Sequence, residues 1–155
     1  MSAEPVWRGV FPGTLDGITE AGRWIESLSA EEGFPEDLTF GVQLCVEELF
    51  ANLVRHGGGL WEKGSAPGAA PVSMVISMSR QGDELAVVLE DDGAPFDVAT
   101  AVPKPVEGTL ETAQPGGLGI QLINKFSNGL AYERVGGVNR TTLKFLWPGT
   151  EFSLL

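Results

Sequence analysis

Cysteine and histidine each occur once in the 155 residues, as Cys45 and His56. A single cysteine excludes an internal disulfide, and one histidine without a Cys/His cluster argues against a structural zinc site. No Gly-x-Ser-x-Gly elbow accompanies the histidine, so a triad hydrolase is set aside too. Basic residues are scarce. Lys and Arg total 10 against 21 Asp and Glu, a formal charge of -11 at pH 7, which repels phosphate backbones and anionic lipid. Direct nucleic acid binding and membrane surfaces are therefore disfavoured. No charged N-terminal region leads into a long apolar run, and no stretch approaches the roughly 18 apolar residues of a membrane span, so the chain reads as cytoplasmic. A Walker A loop is absent, as is a Gly-x-Gly-x-x-Gly turn within a βαβ unit. An acidic chain of this kind that handles a phosphorylated ligand needs a divalent cation or backbone amides to offset the repulsion.

With 43% apolar and 20% charged residues, the chain suits one domain over residues 1–155, with a single core. Its centre is Phe40 to Gly58 (FGVQLCVEELFANLVRHGG), where Val42, Cys45, Val46, Leu49 and Leu53 recur at helical spacing and Leu38 extends the stripe. Cys45 on that stripe packs as a small hydrophobe, which suits a reducing compartment. Glu48, Asn52 and His56 follow at steps of four, so a carboxylate, an amide and an imidazole stand on one face. By itself a Glu/Asn pair at this spacing is also what a solvated helix carries.

Val6 to Pro12 suits a short edge strand, and Thr14 can cap a helix with apolar positions Leu15, Ile18, Ala21, Ile25 and Leu28 that ends at Gly33. Arg23 projects away from that stripe. Pro35 opens the central helix and Gly57 to Gly59 close it, and Gly59 to Pro71 reads as a surface loop. Val72 to Ser79 and the strand from Leu85 form a hairpin around Arg80 to Glu84, read as the turn. Leu85, Val87 and Leu89 face inward, and the period of two brings Asp91 with them. A buried acid needs a donor from protein, water or ligand. The same Asp-Asp-Gly also reads as a plain turn at the strand end.

Ala94 to Pro115 holds four prolines and no period, and such long loops are usually functional or mobile. Gly116 to Gly119 (GGLG) then sit at the start of a helix with Leu118, Leu122, Ile123 and Phe126 in one apolar row, a geometry that favours anions. Leu130 to Val135, the turn Gly136-Gly137, and Val138 to Trp147 make the final hairpin, with Thr141 inward beside Leu143, Phe145 and Trp147.

Taken together, Glu48 to Gly57 (ELFANLVRHG), Asp91 to Asp97 (DDGAPFD), GGLG and Asn139 to Thr142 (NRTT) resemble, in order and spacing, the GHKL or Bergerat-fold ATP-binding domain. The resemblance covers roughly Phe11 to Trp147, and within that superfamily the chain is similar to anti-sigma factor serine/threonine kinases of the RsbW and SpoIIAB type. It implies an α/β fold: a two-layer sandwich with a mixed, mostly antiparallel sheet and helices on one face. It implies ATP and magnesium as cofactors, with Glu48 as general base and Asn52 as magnesium ligand. Asp91 would accept from the adenine amino group, Gly93 would form the turn beside the base, and Gly117 and Gly119 would cradle phosphate. Thr141, or else Thr142, would support the adenine site, and residues 94–115 would form the ATP lid. Pro95 stands where many superfamily members have a second glycine. Glu47 competes with Glu48 as base, but the Glu-x-x-x-Asn register selects Glu48, and the two point about 100° apart.

The implied partners are a sigma factor, which would be inhibited by direct binding, and an anti-anti-sigma (STAS) protein, which would be phosphorylated. A homodimer is left open. Arg23 occupies a position that implies a partner contact, while on its residues alone it is a solvated surface arginine. The alternative function is an ATP-gated binding module without significant transfer, which an intact Glu48 disfavours. A purely structural α/β domain would need four ordered coincidences.

Overall fold

The computed structural model of the chain describes residues 6–56, 73–93 and 117–147. Five strands and three helices follow in the order β1 (Val6–Pro12), α1 (Leu15–Glu32), α2 (Glu36–His56), β2 (Ser73–Gln81), β3 (Glu84–Asp91), α3 (Gly117–Phe126), β4 (Gly129–Val135) and β5 (Val138–Leu146). The expected loop 59–71 and lid 94–115 lie outside the described residues, as does the side chain of His56.

Local chemistry sets the helix ends. The Thr14 side chain accepts from Gly17 N at 3.1 Å and so satisfies one of the free donors at the start of α1. Gly33 ends the helix at φ 73°, where a side chain would be strained, and its N–H and that of Phe34 both reach Ser29 O. A Cβ on Gly17 would lie 1.7 Å from Pro12 O, so α1 can lie against the end of β1 only because this residue is glycine. Pro35 accepts from Thr39 N and starts α2. Along α2, Leu38, Val42, Cys45, Val46, Leu49, Phe50 and Leu53 are all buried, and each large apolar side chain removed from water contributes roughly 1.5–3 kcal/mol. Gln43 Nε2 ties the helix to α1 through Gly22 O at 3.2 Å.

The strands form one sheet in the order β1-β2-β3-β5-β4. All four ladders are antiparallel, so the sheet among the described residues is not mixed. Alternation buries Met74, Ile76 and Met78 of β2, Leu85, Val87, Leu89 and Asp91 of β3, and Asn139, Thr141, Leu143 and Phe145 of β5 on the face that packs with the helices. Phe34 closes one end of this layer, edge-on to Trp7 and Trp147 at 5.7 and 4.7 Å. The opposite sheet face carries Glu90, Arg140, Lys144 and Glu84, with Arg140 paired to Glu90 at 3.0 Å and to Glu133 at 2.8 Å. Pairs this exposed contribute little to stability.

One expectation about the elements of the β2–β3 hairpin needs correction. Arg80, Gln81 and Glu84 belong to the strands, because Gly82 at φ 62° allows the hairpin to turn on Gly82-Asp83 alone. Within α3, Ile123 is fully buried, whereas Phe126 is 36% exposed and its ring meets the exposed Phe40 edge-on at 5.6 Å. Among the described residues no helix is long and apolar enough to cross a membrane.

Candidate functional site

The two elements that carry the expected polar residues, α2 and β3, both contribute to the core between the helices and the sheet. On α2, Glu48 is half-buried and Asn52, one turn later, is 2% exposed. Asn52 Oδ1 is enclosed and accepts no hydrogen bond, a condition shared among the described residues only by Ser29 Oγ, near the end of α1. Leaving such an atom unpaired costs about 1–3 kcal/mol, so the position asks for a donor or a cation. An amide oxygen is a hard ligand suited to magnesium, which usually takes one or two protein oxygens and completes its shell with water and substrate phosphates. The described residues hold no group of three or more His, Cys, Asp or Glu able to hold a metal ion by themselves. Asn52 Oδ1 is thus the enclosed oxygen on α2 that could hold a cation.

Glu48 and Glu47 part company as the helix geometry requires. Glu47 is exposed and lines a cleft of about 220 Å³ between α1 and α2, together with Ile18, Gly22, Ile25, Gln43 and Val46. The Glu48 charge is felt instead by Cys45, whose thiol is pushed up to about 12, first by burial and second by that carboxylate. The nucleophilic thiolate is thus suppressed.

At the end of β3, Asp91 is 5% exposed. Its Oδ1 accepts from Gly93 N at 2.9 Å and from Asn139 Nδ2 at 3.1 Å. Both bonds converge on one oxygen, which leaves the lone pairs of Oδ2 for a donor from outside the described fold. Burial pushes the Asp91 carboxyl above its ordinary value; Asn139, the Gly93 amide and the Arg134 charge act the other way, and Asp92 adds to the rise. Thr141 lies two residues from Asn139 on the same buried face, opposite Leu89, whereas Thr142 lies on the other face opposite Val88. Gly117 and Gly119 fall in the first turn of α3, which packs against α2. Arg23 is exposed on α1.

Three residues not anticipated as site residues hold this corner together. Asn139 is paired with Asp91 across the β3–β5 ladder, and the Gly136-Gly137 turn, at φ 57° and 79°, sets Arg134 opposite Asn139 and Tyr132 opposite Thr141. Arg134 Nη1 donates to Asn139 Oδ1 at 2.9 Å and to Gly93 O at 3.1 Å. The Tyr132 hydroxyl donates to the same Asn139 oxygen. The signal was present in the sequence: the period of two that places Leu143 and Thr141 inward continues to Asn139, and a two-residue turn fixes what lies opposite it.

Comparison with known proteins adds a lineage to this geometry. Residues 11–147 match the family described as the histidine kinase-like ATPase domain. A curated relative, the serine/threonine-protein kinase BtrW of Bordetella bronchiseptica, is 30% identical over 130 residues, which span 84% of this chain and 86% of that protein. Among solved structures, the RsbU and RsbW domains from Mycobacterium tuberculosis superpose with a TM-score of 0.60 at 14% identity, covering 92% of this chain and 32% of that one. This chain thus spans about a third of that longer solved chain. The SiaB–SiaC complex from Pseudomonas aeruginosa gives a TM-score of 0.55 at 20% identity over 90% of this chain and 89% of the matched one. At such identities the two structures speak for the fold.

Proposed function

The chain belongs to the histidine kinase-like ATPase family, and from that premise we propose that it is an ATP- and magnesium-dependent serine/threonine kinase that binds a sigma factor and phosphorylates an anti-anti-sigma (STAS) partner. The observation that carries the proposal is the enclosed, unpaired Asn52 Oδ1 one helical turn from the half-buried carboxylate of Glu48. The name of the 30% identical relative, a serine/threonine kinase, supports the transfer step.

In this reading Asp91 Oδ2 accepts from the adenine amino group, with Gly93 and Thr141 completing the adenine site. The first-turn amides of α3 around Gly117 and Gly119 receive phosphate oxygens. Asn52 holds magnesium, which when bound neutralises phosphate charge that a chain of net charge -11 would otherwise repel. Glu48 takes the proton of the partner's serine hydroxyl as that oxygen bonds to the γ-phosphorus; the bond between the γ-phosphorus and its bridging oxygen breaks, and ADP leaves with the electron pair. Cys45, buried and held as a thiol, takes no part. Arg23, exposed on α1, is free to meet a partner protein.

The test is to incubate the protein with magnesium, ATP labelled on the γ-phosphate, and a STAS-domain protein encoded beside it. Label on a serine or threonine of that partner is expected. Binding of ATP and a sigma factor without transfer would instead make the protein an ATP-gated binding module.

A further inference from the structure

Asp91 is the acid that the functional reading places against the nucleobase, yet a lone carboxylate at a strand end is free to rotate about its last side-chain torsion. In this structure it is not alone. Asn139 Nδ2 reaches Asp91 Oδ1 at 3.1 Å and Gly93 O at 3.4 Å, so one amide spans the carboxylate and the turn that follows it. The amide is itself oriented, because its Oδ1 receives Arg134 Nη1 at 2.9 Å and the Tyr132 hydroxyl. Two donors on that oxygen fix which end of the Asn139 amide is the carbonyl and which the donor. Arg134 also holds Gly93 O at 3.1 Å, so the corner is closed from both sides.

We propose that Asn139, set by Tyr132 and Arg134, is a positioning and specificity-determining residue of the nucleotide site: it commits one oxygen of Asp91 to the protein and turns the other towards the purine. The inference rests on the reading of Asp91 as the nucleobase acid. An ionised, outward-turned oxygen accepts from the 6-amino group of adenine and repels the 6-oxo group of guanine or hypoxanthine. A carboxyl that rotates or takes up a proton loses that distinction, because its O–H can donate to a 6-oxo group.

Burial favours the protonated form of Asp91, and the charges acting on it among the described residues are Asp92, which also favours protonation, and Arg134, which opposes it. Asn139 is the leading group holding the carboxyl down. Its loss raises the pH at which Asp91 takes up a proton, and ATP binding, which needs the ionised form, then fades at a higher pH than in the parent protein.

The experiment is calorimetric titration of the parent protein and of Asn139→Leu with magnesium and either ATP or inosine triphosphate, from pH 5 to 8. The variant is expected to bind ATP about tenfold more weakly at pH 7.5, to discriminate against the 6-oxo nucleotide about tenfold less, and to lose ATP binding at a higher pH. Unchanged discrimination and an unmoved pH midpoint overturn the proposal, whether or not affinity falls, since a merely structural role would weaken both nucleotides alike. Should Asn139→Leu not fold, Arg134→Gln on the edge strand β4 carries the test, with both readouts moving in the same direction if the proposal holds and neither moving if it fails. A parent protein that binds neither nucleotide removes the functional reading and this inference together, whereas a binding parent with an indifferent variant removes the inference alone.

Discussion

Replacing Asp91 by Asn should affect binding and stability in opposite directions. The Asn side chain keeps an oxygen for Gly93 N and Asn139 Nδ2, so the internal bonds at 2.9 and 3.1 Å survive. What changes is the outward atom: an amide N–H₂ replaces a carboxylate oxygen and meets the adenine amino group donor to donor. Loss of one charge-assisted hydrogen bond is worth about 1.5–3 kcal/mol, or roughly ten- to over a hundredfold in Kd. Without ligand the effect reverses. Burial raises the Asp91 carboxyl above the ordinary 3.8, and a carboxyl raised on folding stabilises the folded state when protonated and loses that stability as the pH climbs through the folded value. At neutral pH the ionised parent is thus penalised relative to the neutral variant. Calorimetric titration at pH 7.5 should give the weakened Kd, and thermal melts of the ligand-free protein should give a Tm equal to or above the parent's, an advantage that closes below pH 3.8. An unchanged Kd in a folded variant would remove Asp91 from the site. A lower Tm that persists in acid would refute the assigned cause of the penalty.

Asn52→Leu should likewise separate function from fold: it removes an enclosed oxygen that has no partner, so the ligand-free Tm should hold or rise while the magnesium-dependent part of ATP binding disappears. Calorimetry with and without magnesium checks this, and retention of the magnesium effect would exclude Asn52 as the ligand. Cys45, with its thiol pushed up to about 12, should resist a thiol-reactive dye at pH 8 in the folded protein and react stoichiometrically in denaturant. Rapid labelling of the native protein would contradict its burial.

The helices and strands were largely legible because their periods are clean and their ends carry specific residues. Thr14, Gly33 and Pro35 act where caps were expected, and the inward register of β3 buries Asp91 as the alternation of Leu85, Val87 and Leu89 required. Antiparallel pairing throughout was less legible, since strand order depends on contacts between segments far apart in the chain. Arg80 to Glu84 looked like a turn because polar residues suit both a loop and a solvent-facing strand end, and Gly82 alone decides where the chain reverses. In the site, Asn52 could be placed on a face by counting residues, but its unpaired oxygen is a property of the packed molecule. The clamp on Asp91 was hidden for the same reason: Arg134 lies 41 residues beyond the Gly93 carbonyl it holds, and only the hairpin register joins them.

Glu48→Gln tests the central claim most directly, through the mass of the STAS partner after incubation with magnesium and ATP. With the parent protein the partner should gain one phosphate on serine or threonine. With Glu48→Gln, transfer should slow by about 10² to 10⁴ while ATP affinity stays within a few-fold of the parent's, because a general base acts only on the attacking hydroxyl. Transfer at the parent rate by the variant would contradict the assignment of Glu48, and no phosphate on the partner with a parent protein that binds ATP would contradict the kinase itself.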